Sequence, residues 1–303
     1  MQIHLPPRLN LTSFDGVYGN LHRLSPADPL DLHMEDLEFA EPAGLLPLVC
    51  ILRNHVRAGG ALTIHSFPAD LDVCGYLERM NFYRLVNNPC PHSPGKRKSS
   101  DVFIEITEMD GNVLPQSVRT KLNSLVQGRV DLRDEAGDSF LVACGELVDN
   151  TRHAYNEAIT EQAAVWPPAL ILAQYYQPSN TLHVTVADSG IGIWRSLEAK
   201  DPLEAFKSDK LAIERALILG MKGFNRSGKG LGLAAIARFM RRNRGTFSIR
   251  SGESLSIQSP HRTSRKVAPW KGSVVSLVIN GARNIDIGGI IEDMEAKLKG
   301  SKK

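Results

Sequence analysis

The chain contains no apolar run near the ~20 residues that a membrane-spanning helix needs, and Met1-Gln2-Ile3-His4 does not begin a secretory signal. A cytoplasmic location is the expectation, with no membrane contact. Cysteine is scarce. Cys50, Cys74, Cys90 and Cys144 have no paired spacing, which argues against a disulfide framework or a zinc ribbon. Cys50, Cys74 and Cys144 fall on expected helix faces, where cysteine acts as a small buried hydrophobe. Cys90-Pro91-His92 offers two ligand types without the other two that a structural zinc requires. The nine histidines form no cluster along the chain, and a net charge of +3 is too slight to argue for a nucleic-acid surface.

At 303 residues the chain is long enough for two cores, since one domain typically spans ~100–200 residues. In the first part, Leu30 to Met34 reads as a strand, followed by Leu37-Glu38-Phe39. Ala43 to Val56 reads as a strongly apolar helix stopped by Arg57-Ala58-Gly59-Gly60. Ala61 to Phe67 reads as a second strand and Ala69 to Met80 as an amphipathic helix. This alternation predicts parallel strands with helical crossovers. Residues 87–102 follow, with three prolines, a glycine and Lys96-Arg97-Lys98, the composition of an exposed linker. Arg238, Arg241, Arg242 and Arg244 form a second basic group, at the expected C-terminal end of a helix, where cations complement the dipole. Neither group calls for nucleic acid as a partner.

Three segments of the second part carry chemistry. Phe140 to Ala158 has apolar residues at Leu141, Cys144, Leu147, Val148 and Thr151, a helical period. It puts Glu146 and Asn150 one turn apart on one face. An amide oxygen is a hard ligand for Mg²⁺, and a carboxylate beside it can orient or deprotonate a water. The same pair on an ordinary exposed helix would mean nothing. Thr181 to Ala187 alternates and is rich in β-branched residues, so it reads as a strand with one buried face. It ends in Asp188-Ser189-Gly190-Ile191-Gly192, which places a carboxylate acceptor beside backbone that a flat ligand can approach. The competing reading is a plain turn, for which Asp-Ser-Gly is common chemistry.

Gly228-Lys229-Gly230-Leu231-Gly232-Leu233 runs directly into an expected helix from Leu233 to Arg242. Glycines ahead of a helix start leave amide N–H groups free to cradle phosphate. Two other phosphate motifs nearly fit and fail. Gly223 to Lys229 matches a Walker A, but Gly230 stands where Ser or Thr must hold magnesium. Gly230 to Ala235 matches a dinucleotide fingerprint, but no apolar strand precedes it.

In this order and spacing the three segments resemble the N, G1 and G2 boxes of the GHKL ATP-binding superfamily, which holds gyrase, MutL-type repair proteins, histidine kinases and anti-sigma-factor kinases. The resemblance covers roughly the last two-thirds of the chain. It implies Mg²⁺ on Asn150, adenine read by Asp188 with Gly190 and Gly192 beside it, and phosphates closed in by Gly228, Lys229, Gly230, Leu231, Gly232 and Leu233. Glu146 would be the general base. Ala154 stands where many kinase-type members carry a basic residue, so the first box is closer to the MutL and gyrase branch, while the other two look as much like the anti-sigma kinases. The branch stays open.

The first part resembles a STAS domain, the fold of anti-sigma-factor antagonists. In those proteins a serine in the loop before the helix is phosphorylated, but here Phe39 to Leu45 carries Pro42 and Ala43 at the two serine positions. That loop is expected to take no phosphate, and the unit to dock or self-associate through the apolar residues of its two helices.

The expected fold class is thus α/β (α+β), a STAS-like unit over residues 1–86, a linker over 87–102 and a GHKL-type α/β sandwich over 103–282. Within the sandwich Phe247 to Ser251 and Gly272 to Ile279 read as closing strands, with Ser259 to Lys271 as a loop between them. Ile285 to Lys299 reads as a tail helix within residues 283–303. The cofactors implied are ATP and Mg²⁺, and the partners are proteins, a homodimer among them. Three functions follow: an ATPase-type regulatory switch, a serine/threonine kinase of the anti-sigma type acting on a separate partner, and a nucleotide-binding module without turnover.

Overall fold

The computed structural model of the protein describes residues 1–91, 102–109, 116–129, 144–145, 147–148, 151, 169–198, 208–218, 232–283, 285 and 287–300. Helices and strands are mixed, as an α/β chain requires.

In the first part β1 (Gln2–His4), β3 (Leu30–His33) and β5 (Leu62–Ser66) form a parallel sheet in the order β1-β3-β5. The crossovers include α1 (Ser13–Leu21) and α2 (Pro42–Arg57). The expected parallel pairing is what the chain forms. A short parallel pair, β2 (Arg8–Leu9) with β4 (Phe39–Ala40), flanks it. Proline suits the first position of α2, where no N–H is needed. The helix stops in a Schellman turn: Gly59, at φ +89°, bonds to the Val56 carbonyl and Gly60 to the His55 carbonyl. Asp70 caps α3 (Leu71–Arg79) by accepting the Asp72 N–H at 2.7 Å, and α4 (Phe82–Leu85) follows.

Phe39 to Leu45, compared above with the loop before the helix, is β4, Glu41 and the first turn of α2, the last of these within the helix expected from Ala43. Pro42, Ala43 and Gly44 are buried, and a Cβ on Gly44 would meet the Leu9 and Asn10 backbone at 2.7–2.8 Å. The segment thus packs closely on β2.

The second part is built on an antiparallel sheet of five strands in the order β6 (Phe103–Met109), β7 (Ala169–Tyr176), β8 (Thr181–Ala187), β10 (Arg262–Asn280) and β9 (Thr246–Gln258). Side chains alternate between its faces. Ile171, Ala173, Leu182, Val184, Val186, Val275, Leu277 and Ile279 join one core with α5 (Gln116–Arg129), Cys144, Leu147, Val148, α8 (Gly232–Asn243) and α9 (Ile287–Gly300). Two short helices, α6 (Gly192–Glu198) and α7 (Asp209–Ala216), flank the same sheet.

Phe103, Ile106, Leu170, Leu172, Ala187, Trp270 and Val274 belong to the other face, in one continuous core with α1, α2 and the parallel sheet. Burial on both faces is why β7 opens on the unbroken apolar run Ala169 to Ala173. The apolar residues of α2 are consumed here, against β7 and β8, and those of α3 (Val73, Cys74, Leu77) are buried too. Most of the apolar surface expected to dock a partner is therefore covered within the chain, with Leu71 of α3 left 62% exposed. Charge reinforces the join. Arg53 and Arg57 of α2 hold Glu108 of β6 at 3.0 and 2.7 Å, and Asp15 of α1 pairs with the buried Arg250 of β9 and with Arg265.

The expected loop Ser259 to Lys271 is also corrected. From Arg262 onward it is β10, paired with β9 from Arg262↔Gln258 to Lys266↔Ser254. Its exposed polar side chains hid a strand held by its ladder rather than by a buried face.

Candidate functional site

β8 ends at Ala187, and Asp188 extends its ladder by one pair, donating its N–H to the Ser273 carbonyl at 2.8 Å. It continues the alternation of Leu182, Val184 and Val186, which puts it in register with the face covered by α5 and α8. One carboxylate oxygen, Oδ1, accepts the Gly190 N–H at 2.8 Å, and Oδ2 accepts the Ser273 hydroxyl at 2.5 Å. The first bond is ordinary Asp-turn chemistry. Burial is not: Asp188 is only 4% exposed. Desolvation lifts its carboxyl to about 6, against the opposing pull of the Ser273 and Gly190 hydrogen bonds. A carboxylate has about four lone-pair sites, and these two bonds use half of them.

Two glycines shape the surroundings. Gly272, at φ +97°, runs so close that a Cβ on it would stand 2.3 Å from the Asp188 carbonyl oxygen and 2.7 Å from Oδ1. Gly192, at φ +80°, faces Ser251 Oγ and the Gly272 carbonyl at 3.0 and 3.2 Å from where its Cβ would be. Its bareness thus serves the packing of the turn against β9 and β10. Ser251 ties the two together, donating to Gly272 O at 2.8 Å and accepting from Ile193 N at 3.0 Å.

The first part of the chain reaches this turn from the other side. Asn54 of α2 donates to Ser189 Oγ at 2.7 Å, and Cys50 Sγ lies 3.4 Å from the same oxygen. Trp270 Nε1 donates to the Asp188 carbonyl at 3.0 Å, while its ring packs on Phe14 and Tyr18 of α1. A cleft of about 250 Å³ lies alongside, lined by Tyr18, His22, Asn54, Ser189, Trp270 and Lys271 among others. Burial, then the nearby Arg195 charge, lowers the Lys271 ammonium below its ordinary value.

Of the residues singled out in the sequence, Asp188, Gly190 and Gly192 share this turn. Gly232 opens α8, and Leu233 packs on the core beside it. Glu146, Asn150, Gly228, Lys229, Gly230 and Leu231 lie outside the described residues. Around the first two, Cys144, Leu147, Val148 and Thr151 are helical and buried, the apolar phase that the period predicted. Ser251, Gly272, Ser273, Trp270 and Asn54 escaped the sequence reading. Gly272-Ser273 opened an expected strand, and nothing in its local pattern pairs it with Asp188.

Compared with known proteins, the chain matches no family model and no curated sequence.

Proposed function

We propose that the chain is a Mg-ATP-binding regulatory protein of the GHKL type, an ATPase-type conformational switch built onto a STAS-like unit. The observation that carries this reading is Asp188: a buried carboxylate at a strand end, with half its acceptor capacity unused among the described residues and a glycine backbone pressed against it. An adenine amino group is a donor that fits such an acceptor. The ordered motifs supply the rest of the assignment. Asn150 holds Mg²⁺, Glu146 activates the attacking group, and Gly228 to Leu233 with Lys229 enclose the phosphates. Mg²⁺ when bound supplies charge neutralisation at the phosphates. A switch is favoured over a free-standing module because the turn that carries Asp188 is itself hydrogen-bonded to α2 of the other part.

Calorimetry with Mg-ATP tests the reading. The wild type should bind, and Asp188→Asn should bind about 10–100-fold more weakly, because an unpaired donor costs about 1–3 kcal/mol. Equal affinities in two folded proteins reject the adenine assignment. Glu146→Ala should bind but lose turnover by about 10²–10⁴-fold, the usual contribution of a general base. Inorganic phosphate release marks the switch, label on a second protein marks the kinase of the anti-sigma type, and neither marks a binding module.

A further inference from the structure

On the parallel sheet, a different sheet from the one that leads to Asp188, the carboxyl ends of the strands gather three histidines. His4 ends β1, His33 ends β3, and the register sets them side by side. Their rings stack at 4.4 Å and 14°, and His65 of β5 stacks on the other side of His33 at 5.3 Å and 12°. Glu35 follows β3 by two residues, with one oxygen 3.7 Å from His4 Nδ1. Its other oxygen accepts the Ser66 hydroxyl, which also lies 3.5 Å from His33 Nδ1. His65 is engaged elsewhere, its Nε2 2.8 Å from Asp31 Oδ1.

Cross-strand stacking alone would account for three aromatic rings in a row. It does not account for His33 Nε2, which is buried without a hydrogen-bond partner among the described residues. Leaving a polar group in that condition costs about 1–3 kcal/mol, so native chains rarely do it. A cation among these side chains would give the ring an electron-pair acceptor.

We propose that His4, His33 and Glu35 form a site for one divalent transition-metal ion of the zinc class, with His65 outside the ligand set. The three donor atoms already lie within 4.8 Å of one another. Zinc bonds of about 2.0–2.2 Å put tetrahedral neighbours about 3.3 Å apart, so the set has to close by at most about 1.5 Å. Two of the three side chains are free to do so, since His4 is 61% and Glu35 45% exposed. Two imidazoles with one carboxylate suit zinc rather than magnesium or calcium, which take all-oxygen shells. Ser66 supplies the outer hydrogen bond that orients a ligating carboxylate. Three protein ligands leave one position for water or an incoming group. The carboxyl ends of parallel strands are where such sheets generally hold ligands.

The test uses the full untagged chain, stripped of metal, with Zn²⁺ for calorimetry and Co²⁺ for visible spectra. The wild type should bind one ion per chain and melt at a higher temperature with Zn²⁺ present. H4Q and E35Q change exposed side chains and should stay folded. Each should lose at least about 100-fold in affinity, the upper end of what outer-shell changes alone cost, together with the Co²⁺ band. H65N should keep both. Absence of stoichiometric binding in the wild type overturns the site. So does binding that survives in H4Q and E35Q, as capture by the free cysteines would, or a loss in H65N as large as in H4Q.

Discussion

Asn54, on the helix that joins the two sheets, donates a 2.7 Å hydrogen bond to Ser189, the neighbour of the buried Asp188. The amide is pinned from behind, because its oxygen accepts from Arg53 Nη2 at 3.1 Å. Arg53 in turn holds Glu108 on β6. A line of polar contacts therefore runs from the far edge strand of the sheet to the turn of the candidate site.

Asn54→Ala should lower the unfolding free energy by about 1–2 kcal/mol, the cost of breaking a partly buried hydrogen bond. A cycle with Ser189→Ala isolates the pair. The two changes should couple by about 0.5–1.5 kcal/mol, since residues in direct contact do not add. Urea unfolding of the four proteins measures it, and strict additivity would mean the contact carries no energy.

The Asp188 carboxyl gives stability a pH dependence of unusual sign. Burial raises it from 3.8 to about 6 in the folded chain. Between those values the folded state holds a proton that the unfolded state has released, so this group's contribution to stability falls as pH rises and levels off above about 6. The amplitude is on the order of 3 kcal/mol, from a shift of about two units. Asp188→Asn removes the titration, so the difference between the two proteins in urea should grow in the mutant's favour from pH 4 to 6. A constant difference across that window would mean that the carboxyl is not buried as described. Nucleotide affinity should move the other way, weakening as pH drops through about 6 and the acceptor takes a proton.

Glycine replacements separate a close approach from mere helix content. Gly272 combines φ +97° with a Cβ position 2.3 Å from the Asp188 carbonyl oxygen, and backbone cannot yield there as a side-chain tip can. Gly272→Ala should cost more than about 2 kcal/mol. Gly19 is exposed inside α1 with nothing within 4 Å of its Cβ position, so Gly19→Ala should gain about 0.5–1 kcal/mol. Thermal melts of both report the signs. A Gly272→Ala protein as stable as the wild type would contradict the packing of β10 against the turn.

Periodicity made the elements that bury one face legible. The alternation from Thr181 to Ala187 gave β8 to the residue, and the apolar stripe that stops at Gly59 and Gly60 gave α2 to within a residue. Asp188 was legible because a strand end, a carboxylate and two glycines are contiguous. Its partners were not, because Ser273, Gly272 and Trp270 come from β10 and meet it only through strand pairing. Distance in sequence also hid the histidine stack. His4, His33 and His65 are scattered along the first part of the chain and become neighbours only through parallel register. The outer half of β10 was missed for the opposite reason, since its residues from Arg262 to Lys266 bury no face and so carry no period.

The first 86 residues should prove inseparable from the rest. Phe103, Ile106, Leu170, Leu172, Ala187, Trp270 and Val274 are each at most 4% exposed, and their cover is the core of that unit. Removing it bares one whole apolar face of the five-stranded sheet, far more contiguous apolar surface than a soluble monomer usually shows. It also takes Asp15 from Arg250, a guanidinium that burial has already lowered to about 10. Breaking a buried pair on one side typically costs about 3–5 kcal/mol. The truncated chain of residues 87–303 should therefore aggregate, or unfold without a cooperative transition, in light scattering and urea titration. Supplying residues 1–86 as a separate polypeptide should restore a monodisperse, cooperative complex. A truncated chain that is monomeric and melts like the full protein would show that the shared core contributes nothing to its stability.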